Sequence, residues 1–217
     1  MIETKKHGLF ITFEGIDGSG KSTQATALLR NAQDNGVKAV LYREPGGTKI
    51  SEQLWQIVLS VKNNNISSLT EVLLYTAARA QLIEEMILPG LEENDIVICD
   101  RFHDSTLAYQ GYARGISQEV IEALSIEFAK SVIPDITFLV DVHVELAEKR
   151  AGTLGRLDRI EMESEEFKRK VINGFRKIAA DEPDRVHVLD GTKEVEILSD
   201  IVWESVSGIL KNMSSMI

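Results

Sequence analysis

The chain has 217 residues, of which 43% are hydrophobic and 27% are charged, and these values fit one globular domain with a substantial core. The formal net charge of -10 argues against a protein that binds nucleic acid through a broad basic surface. Cys99 is the single cysteine, which excludes a disulfide framework and favours a reducing, cytosolic compartment.

Five short apolar segments predict buried β-strands. Each is rich in β-branched or aromatic residues, and each ends in a charged residue. The segments are Leu9–Glu14, Lys38–Arg43, Asp95–Asp100, Ile136–Asp141 and Arg185–Asp190.

Helical patterns occupy the intervals between these strands. Spacings of three and four predict a long helix that ends before Pro89, and Ser117 is the predicted N-cap of a helix over residues 118–131. Strands that alternate with helices predict one α/β domain over residues 1–217, built on a doubly wound five-stranded parallel sheet. The long helix carries Leu69, Leu73, Thr76, Ala80, Ile83 and Ile87, and further helices are predicted near residues 21–33, 54–61, 167–178 and 195–209.

The segment Ala151–Glu161 departs from this regularity. It contains two glycines and two arginines, has little apolar pattern, and lies between two predicted helices. We interpret it as a mobile flap, a short lid at about residues 150–161.

The stretch Gly15–Ser22 matches the motif G-x-x-x-x-G-K-S. It follows a predicted strand and opens a predicted helix, which is the context that a phosphate-binding loop needs. Glycines let backbone N–H groups turn around an anion, and the helix N-terminus adds partial positive charge. Lys21 is suited to the β- and γ-phosphates of a nucleotide, and the Ser22 hydroxyl to Mg²⁺. The alternative, a glycine-rich turn with a solvated lysine, is disfavoured by this context.

Polar residues follow two other strands at the same predicted edge of the sheet. Asp100 ends the third strand, where a carboxylate can hold a metal-bound water, and Arg101 comes next at the mouth where ligands bind in open α/β sheets. Arg43 ends the second strand. Taken singly, such an aspartate is equally a helix cap and such an arginine a surface charge, but together with Lys21 they favour a phosphate site.

Tyr75 and Arg79 are four residues apart on the predicted long helix and share a face. An aromatic plane beside a bidentate donor suits a flat heterocycle. Judged by spacing alone, the competing interpretation is that Tyr75 packs in the core and Arg79 lies on the surface.

The combination of motifs resembles the thymidylate kinase family, which makes dTDP from dTMP. The matching segments keep the family's order and span residues 13 to 161: FEGIDGSGKSTQ, REPGGT, LLYTAARAQ, DRFHDSTLAYQG, PDITFLVDV and GRLDRIE. The resemblance implies a P-loop kinase with a short lid, with ATP as phosphoryl donor, Mg²⁺ as cofactor and dTMP as acceptor.

The resemblance also implies roles for particular residues. ATP phosphates and Mg²⁺ are expected at Gly15, Asp17, Gly18, Ser19, Gly20, Lys21, Ser22 and Thr23, with Asp100 beside the metal. The acceptor is expected at Asp17, Arg43, Tyr75, Arg79, Arg101, Ser105, Thr106, Tyr109 and Gln110, with Arg43 and Arg101 on its phosphate, Tyr75 stacked on thymine and Tyr109 crowding the sugar 2′ position.

The lid arginines carry the remaining implied role, over the transferred phosphate. Arg150, Arg156 and Arg159 are the candidates, and Lys21 and Arg101 complete the catalytic set. Some family members carry the catalytic arginine in the phosphate loop, but Gly18 stands at that position here. In the other type an arginine often precedes the lid glycine, where this chain has Leu154, so Arg156 is the expected substitute.

Several other functions remain as alternatives. A kinase of the same fold acting on dUMP, another nucleotide or a deoxynucleoside shares most of these residues, and a catalytically silent nucleotide-binding protein is favoured only by Leu154. A GTPase lacks support because no N-K-x-D motif occurs, and a DNA-associated ATPase is disfavoured by the acidic charge.

Location and assembly are expectations of the same kind. The first residues lack the apolar stretch of a signal peptide, and no run of about 18 apolar residues occurs. We expect a soluble, cytoplasmic protein that binds neither membrane nor nucleic acid, and the resemblance implies a homodimer.

Overall fold

A computed structural model describes residues 8–128, 132–152 and 158–214 of the chain. Within them, five strands form one all-parallel sheet in the order β2-β3-β1-β4-β5, which confirms the predicted α/β fold. The strands agree with the predicted segments to within one residue at either end. They are β1 Leu9–Glu14, β2 Ala39–Arg43, β3 Ile96–Asp100, β4 Ile136–Asp141 and β5 Val186–Asp190.

Helices connect the strands and lie on both faces of the sheet. Two π-helical segments interrupt them, at Ile83–Ile87 and Leu107–Ala113. The α-helices are α1 Lys21–Asp34, α2 Lys49–Leu59, α3 Ser68–Leu82, α4 Leu88–Glu93, α5 His103–Thr106, α6 Gln118–Phe128, α7 Val144–Ala151, α8 Glu165–Asp181 and α9 Val195–Ser214.

The alternation of β1 divides the core between the two faces of the sheet. Ile11 and Phe13 pack with α1 and α9 on one face, whereas Phe10 packs with α3, the first π-helical segment and α4 on the other. Because helices cover both faces of the sheet, the doubly wound prediction is confirmed.

Cys99 in β3 lies on this second face and is completely buried, which raises the pKa of its thiol well above the usual range.

The position of β1 determines where a ligand crevice forms. β1 is hydrogen-bonded to β3 on one side and to β4 on the other. The chain leaves β1 toward β2, on the far side of β3, and leaves β3 toward β4, on the far side of β1, so the connections from these two neighbouring strands run in opposite directions. Ligands of open α/β sheets bind at such a switch point.

The prediction that the long helix ends before Pro89 is wrong. α3 continues through the first π-helical segment into α4, and Pro89 lies in the first turn of α4. In that turn a missing N–H costs little. Leu88 N donates to Ile83 O, a wider spacing than in an α-helix, and this shift in hydrogen bonding precedes the proline.

Other helix boundaries are close to the predicted ones. α2 begins earlier than expected, at Lys49, because Thr48 caps it by accepting a hydrogen bond from Ser51 N. Ser117 Oγ accepts from Val120 N at 3.4 Å, as expected of an N-cap. Residues 129–131 of the predicted helix lie outside the described residues.

The apolar stripe of α3 is split between core and surface. Thr76 is buried, but Leu69 and Leu73 are 55% and 45% exposed in the single chain. The buried face of α3 instead contains Glu71 and Arg79, two charged residues. Among the described helices, none is both long enough and apolar enough to cross a lipid bilayer.

Candidate active site

The phosphate-loop motif forms the connection between β1 and α1. Gly15, Gly18 and Gly20 have φ values of 140°, 81° and 103°, in the region that glycine adopts readily. At Gly18 an added Cβ would lie 2.1 Å from Ala147 O, so a larger residue does not fit. Gly20 is the N-cap of α1 and has no side chain to compete for the first N–H groups of the helix. Those N–H groups and the helix dipole are available to an anion.

Two cations share one carboxylate at the rim of this loop. Lys21 Nζ lies 3.0 Å from Asp17 Oδ1, and Arg101 Nη2 lies 2.7 Å from the same oxygen. Burial acts to raise the pKa of Asp17, but the charges of Arg101 and Lys21 outweigh it and hold that pKa well below its usual range. The carboxylate therefore stays ionised at neutral pH and holds both cations in place.

Arg101 is fixed along its whole length. Its φ of 68° is unusual for a residue other than glycine, and its N–H donates to Phe13 O at 2.9 Å. Its guanidinium donates to Ser105 Oγ at 3.0 Å and to Tyr109 OH at 3.4 Å. Such a backbone conformation is typical of functional sites, where the surrounding contacts enforce it.

The Glu14 side chain holds the loop that follows β3 through hydrogen bonds. Its carboxyl group accepts hydrogen bonds from Phe102 N at 2.8 Å, Ser105 N at 3.3 Å and Ser105 Oγ at 2.5 Å. Burial, with the nearby charge of Asp104, raises the pKa of Glu14 to about 8. Because Glu14 directly precedes Gly15, this carboxyl connects the phosphate loop to the loop that carries Arg101.

A cleft opens beside the phosphate loop. All nine residues that were predicted to bind the acceptor line it: Asp17, Arg43, Tyr75, Arg79, Arg101, Ser105, Thr106, Tyr109 and Gln110. Residues that the sequence did not single out complete the lining: Glu44, Pro45, Trp55, Leu59, Asp158 and Ile160.

Arg43 is preorganised at the mouth of the cleft. Its guanidinium lies 4.1 Å from the centroid of the Trp55 ring, donates to Glu52 Oε1 at 2.5 Å and donates to Pro45 O at 2.9 Å. Gly46 beside it has a φ of 120°, which favours glycine, and an added Cβ would lie 2.7 Å from Arg43 Nη1 and displace the guanidinium. The Arg43 side chain is nevertheless 45% exposed and open to an anion.

Arg79 is buried at the inner end of the cleft, only 4% exposed, so the interpretation of a surface arginine is wrong. It pairs with Glu44 through Nε at 3.0 Å and donates through Nη2 to Thr106 Oγ1 at 2.6 Å and Phe102 O at 3.2 Å. Burial and the charge of Arg79 lower the pKa of the adjacent His103 to about 3, so that imidazole is neutral. Tyr75 is half-buried in the cleft wall.

Glu71 joins the cleft wall to the C-terminal part of the predicted lid segment. It accepts hydrogen bonds from Gln110 Nε2 at 2.9 Å, Arg114 Nε at 3.1 Å and Arg159 Nη2 at 2.5 Å. Arg159 also donates through Nε to Val58 O at 2.8 Å. In this structure the Arg159 guanidinium is thus held by protein groups.

Asp100 and Ser22 fit the site expected for Mg²⁺. Asp100 Oδ1 is buried and has no hydrogen-bond partner among the described residues, which suits a carboxylate that accepts from a metal-bound water. Ser22 is exposed in the first turn of α1, beside the phosphate loop. In the described part of the chain no cluster of three acidic, histidine or cysteine side chains could hold a metal alone, so phosphate oxygens would complete the coordination.

The remaining predicted residues lie around the donor side. Arg150 Nη1 donates to Ser19 O at 3.2 Å and to Gly191 O at 3.0 Å, which fastens the phosphate loop to the turn after β5. Thr23 is exposed in the first turn of α1. Arg156 and Leu154 lie outside the described residues.

Sequence reasoning missed Trp55 and Glu71, although each carried a signal. Trp55 follows Glu52 by three residues on α2, so the two share the face that Arg43 meets. Glu71 is a carboxylate within an apolar helical stretch, which requires a cationic or hydrogen-bonding partner once buried.

Comparison with known proteins gives concordant matches over most of the chain. Residues 13–202 match the family model described as Thymidylate kinase. A thymidylate kinase from Pelobacter propionicus is 44% identical over 211 residues, which cover 94% of this chain and 95% of that protein. One from Thermoanaerobacter sp. strain X514 is also 44% identical, over 90% of this chain and 96% of the relative.

A solved structure is similar as well. The crystal structure of thymidylate kinase from Ehrlichia chaffeensis superimposes with a TM-score of 0.75 at 37% sequence identity. The match covers 92% of this chain and 98% of that one.

Proposed function

This chain belongs to the thymidylate kinase family, and from that premise we propose how its residues divide the work of transferring a phosphoryl group from ATP to dTMP. The reaction is ATP + dTMP → ADP + dTDP. The observation that carries the assignment of residues is that a phosphate loop and a cleft suited to a nucleotide lie side by side and share Asp17.

The donor occupies the phosphate loop in this proposal. Backbone N–H groups from Gly15 to Thr23 surround the β- and γ-phosphates of ATP, and Lys21 neutralises them. Arg150 holds the loop from behind through its bonds to Ser19 O and Gly191 O.

The acceptor occupies the cleft. Arg43 and Arg101 bind its phosphate, and Tyr109, in contact with Arg101, borders the sugar. Tyr75 stacks on the thymine ring. The polar groups of Arg79, Ser105, Thr106 and Gln110 surround the remaining edges.

The chemical step needs alignment more than proton transfer. An acceptor phosphate oxygen, already anionic near neutral pH, attacks the γ-phosphorus, and the bond from that phosphorus to the β-bridging oxygen breaks, so ADP leaves. Lys21, Arg101 and the lid arginine Arg156 balance the charge that spreads over the transferred group. Arg150 is the alternative lid arginine.

Mg²⁺ would be held by the Ser22 hydroxyl and, through water, by Asp100. When bound, it neutralises charge on the donor phosphates. The unpartnered Asp100 Oδ1 supports this assignment.

We also propose a homodimer in the cytoplasm. Exposed apolar side chains on α2 and α3, two helices that pack against each other, support the dimer, because a second copy would cover them. These side chains are Ile50, Ile57, Leu69 and Leu73. Light scattering tests both parts: the wild type should have the mass of a dimer, and Leu69→Glu and Leu73→Glu that of a monomer. A monomeric wild type would overturn the dimer, and dimeric variants would overturn the role of this surface. The cytoplasm is the compartment that supplies ATP and dTMP.

An ADP-release assay with ATP and Mg²⁺ tests the function. The acceptors compared are dTMP, dUMP, UMP, dCMP, AMP and thymidine. We expect strong turnover with dTMP and little with UMP, dCMP or AMP. Bound ATP without turnover on any acceptor would replace this proposal with a silent nucleotide-binding protein.

A further inference from the structure

Glu71 is an almost completely buried carboxylate, 1% exposed, outside the lining of the cleft. Burial acts to raise its pKa, but hydrogen bonds from Gln110, Arg114 and Arg159 outweigh burial and hold the pKa below its usual range. An ionised carboxylate accepts hydrogen bonds and donates none. Every group that faces Glu71 must therefore present an N–H or O–H to it.

This requirement determines which end of the Gln110 amide faces the cleft. Gln110 lines the cleft and donates through Nε2 to Glu71 Oε1 at 2.9 Å. The opposite orientation would place two acceptor oxygens against each other in a buried position, which is unfavourable. The carbonyl oxygen of Gln110 is consequently the end left for a ligand.

We infer that Glu71 is a positioning residue for base specificity: it holds Gln110 so that the amide oxygen faces the acceptor and selects a pyrimidine that carries an N–H at ring position 3. The inference rests on the proposed function. Thymine and uracil carry this N–H, whereas N3 of cytosine is an acceptor and would meet the amide oxygen unfavourably. A binding site discriminates strongly between bases when the wrong base would leave buried polar groups of the site unpaired.

The substitution Glu71→Gln should reverse the Gln110 amide. Glu71 Oε2 receives two guanidinium groups, through Arg159 Nη2 at 2.5 Å and Arg114 Nη2 at 3.3 Å, whereas Oε1 receives Gln110 Nε2 and one guanidinium N–H, Arg114 Nε at 3.1 Å. The oxygen of a glutamine would therefore take the Oε2 position. Its NH₂ group would then replace Oε1 and face Gln110. Gln110 would turn its oxygen to this new donor and its NH₂ group to the cleft.

The test compares dTMP with 5-methyl-dCMP, which keeps the 5-methyl group and has an acceptor at N3. In Glu71→Gln we expect the ratio of kcat/KM for dTMP over 5-methyl-dCMP to fall by about tenfold or more. The matched control is Arg114→Gln, which removes a partner of Glu71 but leaves its bond to Gln110, and its ratio should stay near the wild-type value.

The double variant Glu71→Gln/Gln110→Glu exchanges the amide and the carboxylate. It restores an acceptor oxygen to the cleft and keeps the local charge, so the ratio should return toward that of the wild type. It also remains informative if Glu71→Gln alone does not fold.

An unchanged ratio in Glu71→Gln, an equal fall in Arg114→Gln, or a double variant that stays at the low ratio would each overturn the inference. In all three cases wild-type turnover of dTMP keeps the proposed function intact. If the wild type does not phosphorylate dTMP, both the inference and the proposed function are wrong.

Discussion

Asp17 and Arg101 meet at 2.7 Å although 84 residues separate them, one in the phosphate loop and the other directly after β3. The carboxylate also holds Lys21, so the cations that we propose for the donor and for the acceptor share one anchor. Substrate phosphates therefore meet a charge arrangement that already exists, and this lowers the cost of organising the site during the reaction.

Lys21→Ala should lower kcat by at least about 10²-fold, because a preorganised charge is removed from the transferred phosphate. The melting temperature should stay close to that of the wild type. Lys49→Ala, at an exposed position of α2, is the control and should keep full activity. Wild-type turnover in Lys21→Ala would remove the phosphate-loop assignment.

Trp55→Leu should raise the KM for dTMP by about two- to fivefold with little change in kcat, because Arg43 loses the ring on which it rests. Trp55→Phe keeps an aromatic face, so its KM for dTMP should lie between those of the wild type and Trp55→Leu. Steady-state kinetics at saturating ATP measure both constants. Equal KM values in all three proteins would show that Trp55 does not position Arg43.

Glu14 predicts a dependence of stability on pH. Its pKa rises from 4.5 to about 8 on folding, so its contribution to stability is complete below about pH 4.5 and is lost as the pH rises through about 8. Through this group the free energy of unfolding should fall by about 1 kcal/mol per pH unit within that window. Glu14→Gln removes the titration and should flatten the profile.

Urea denaturation at several values from about pH 5 to about pH 9 measures this profile. The exposed Glu92→Gln on α4 is the control and should reproduce the wild-type slope. If Glu14→Gln has that slope too, the Glu14 carboxyl is not protonated in the folded protein.

Arg156→Ala should lower kcat by about 10³-fold or more, while the KM for dTMP changes only a few-fold, as expected of a group that acts on the transferred phosphate. Arg150→Ala is the companion variant. If only the KM changes in Arg156→Ala and kcat falls in Arg150→Ala, the catalytic role belongs to Arg150.

Only part of the acceptor cleft was predictable from the fold. Arg43 and Arg101 follow the carboxyl ends of parallel strands, which converge at one edge of the sheet. Tyr75 and Arg79 were suggested by their helical spacing, and the other acceptor residues were implied by the family resemblance. Trp55 and Glu71 were not predicted, since each acts through a contact with a cleft residue that is distant in sequence. Trp55 packs against Arg43, and Glu71 accepts a hydrogen bond from Gln110. Hydrogen bonds between helices leave no periodic signature.

The apolar stripe of α3 marks another limit of sequence reasoning. Leu69 and Leu73 have the spacing of core residues, yet they are exposed in the single chain. A surface that packs against another copy and one that packs against the sheet have the same pattern, because both exclude water in the same way. Only the position of the sheet distinguishes them.

The buried thiol of Cys99 makes this protein convenient for spectroscopic labelling. It is the only cysteine in the chain, its exposed fraction is 0%, and its raised pKa suppresses the reactive thiolate. A cysteine introduced at an exposed position, such as Gln53 on α2, would therefore react with a maleimide dye almost alone. Two such positions across the cleft would report distance changes during turnover without first removing a native cysteine.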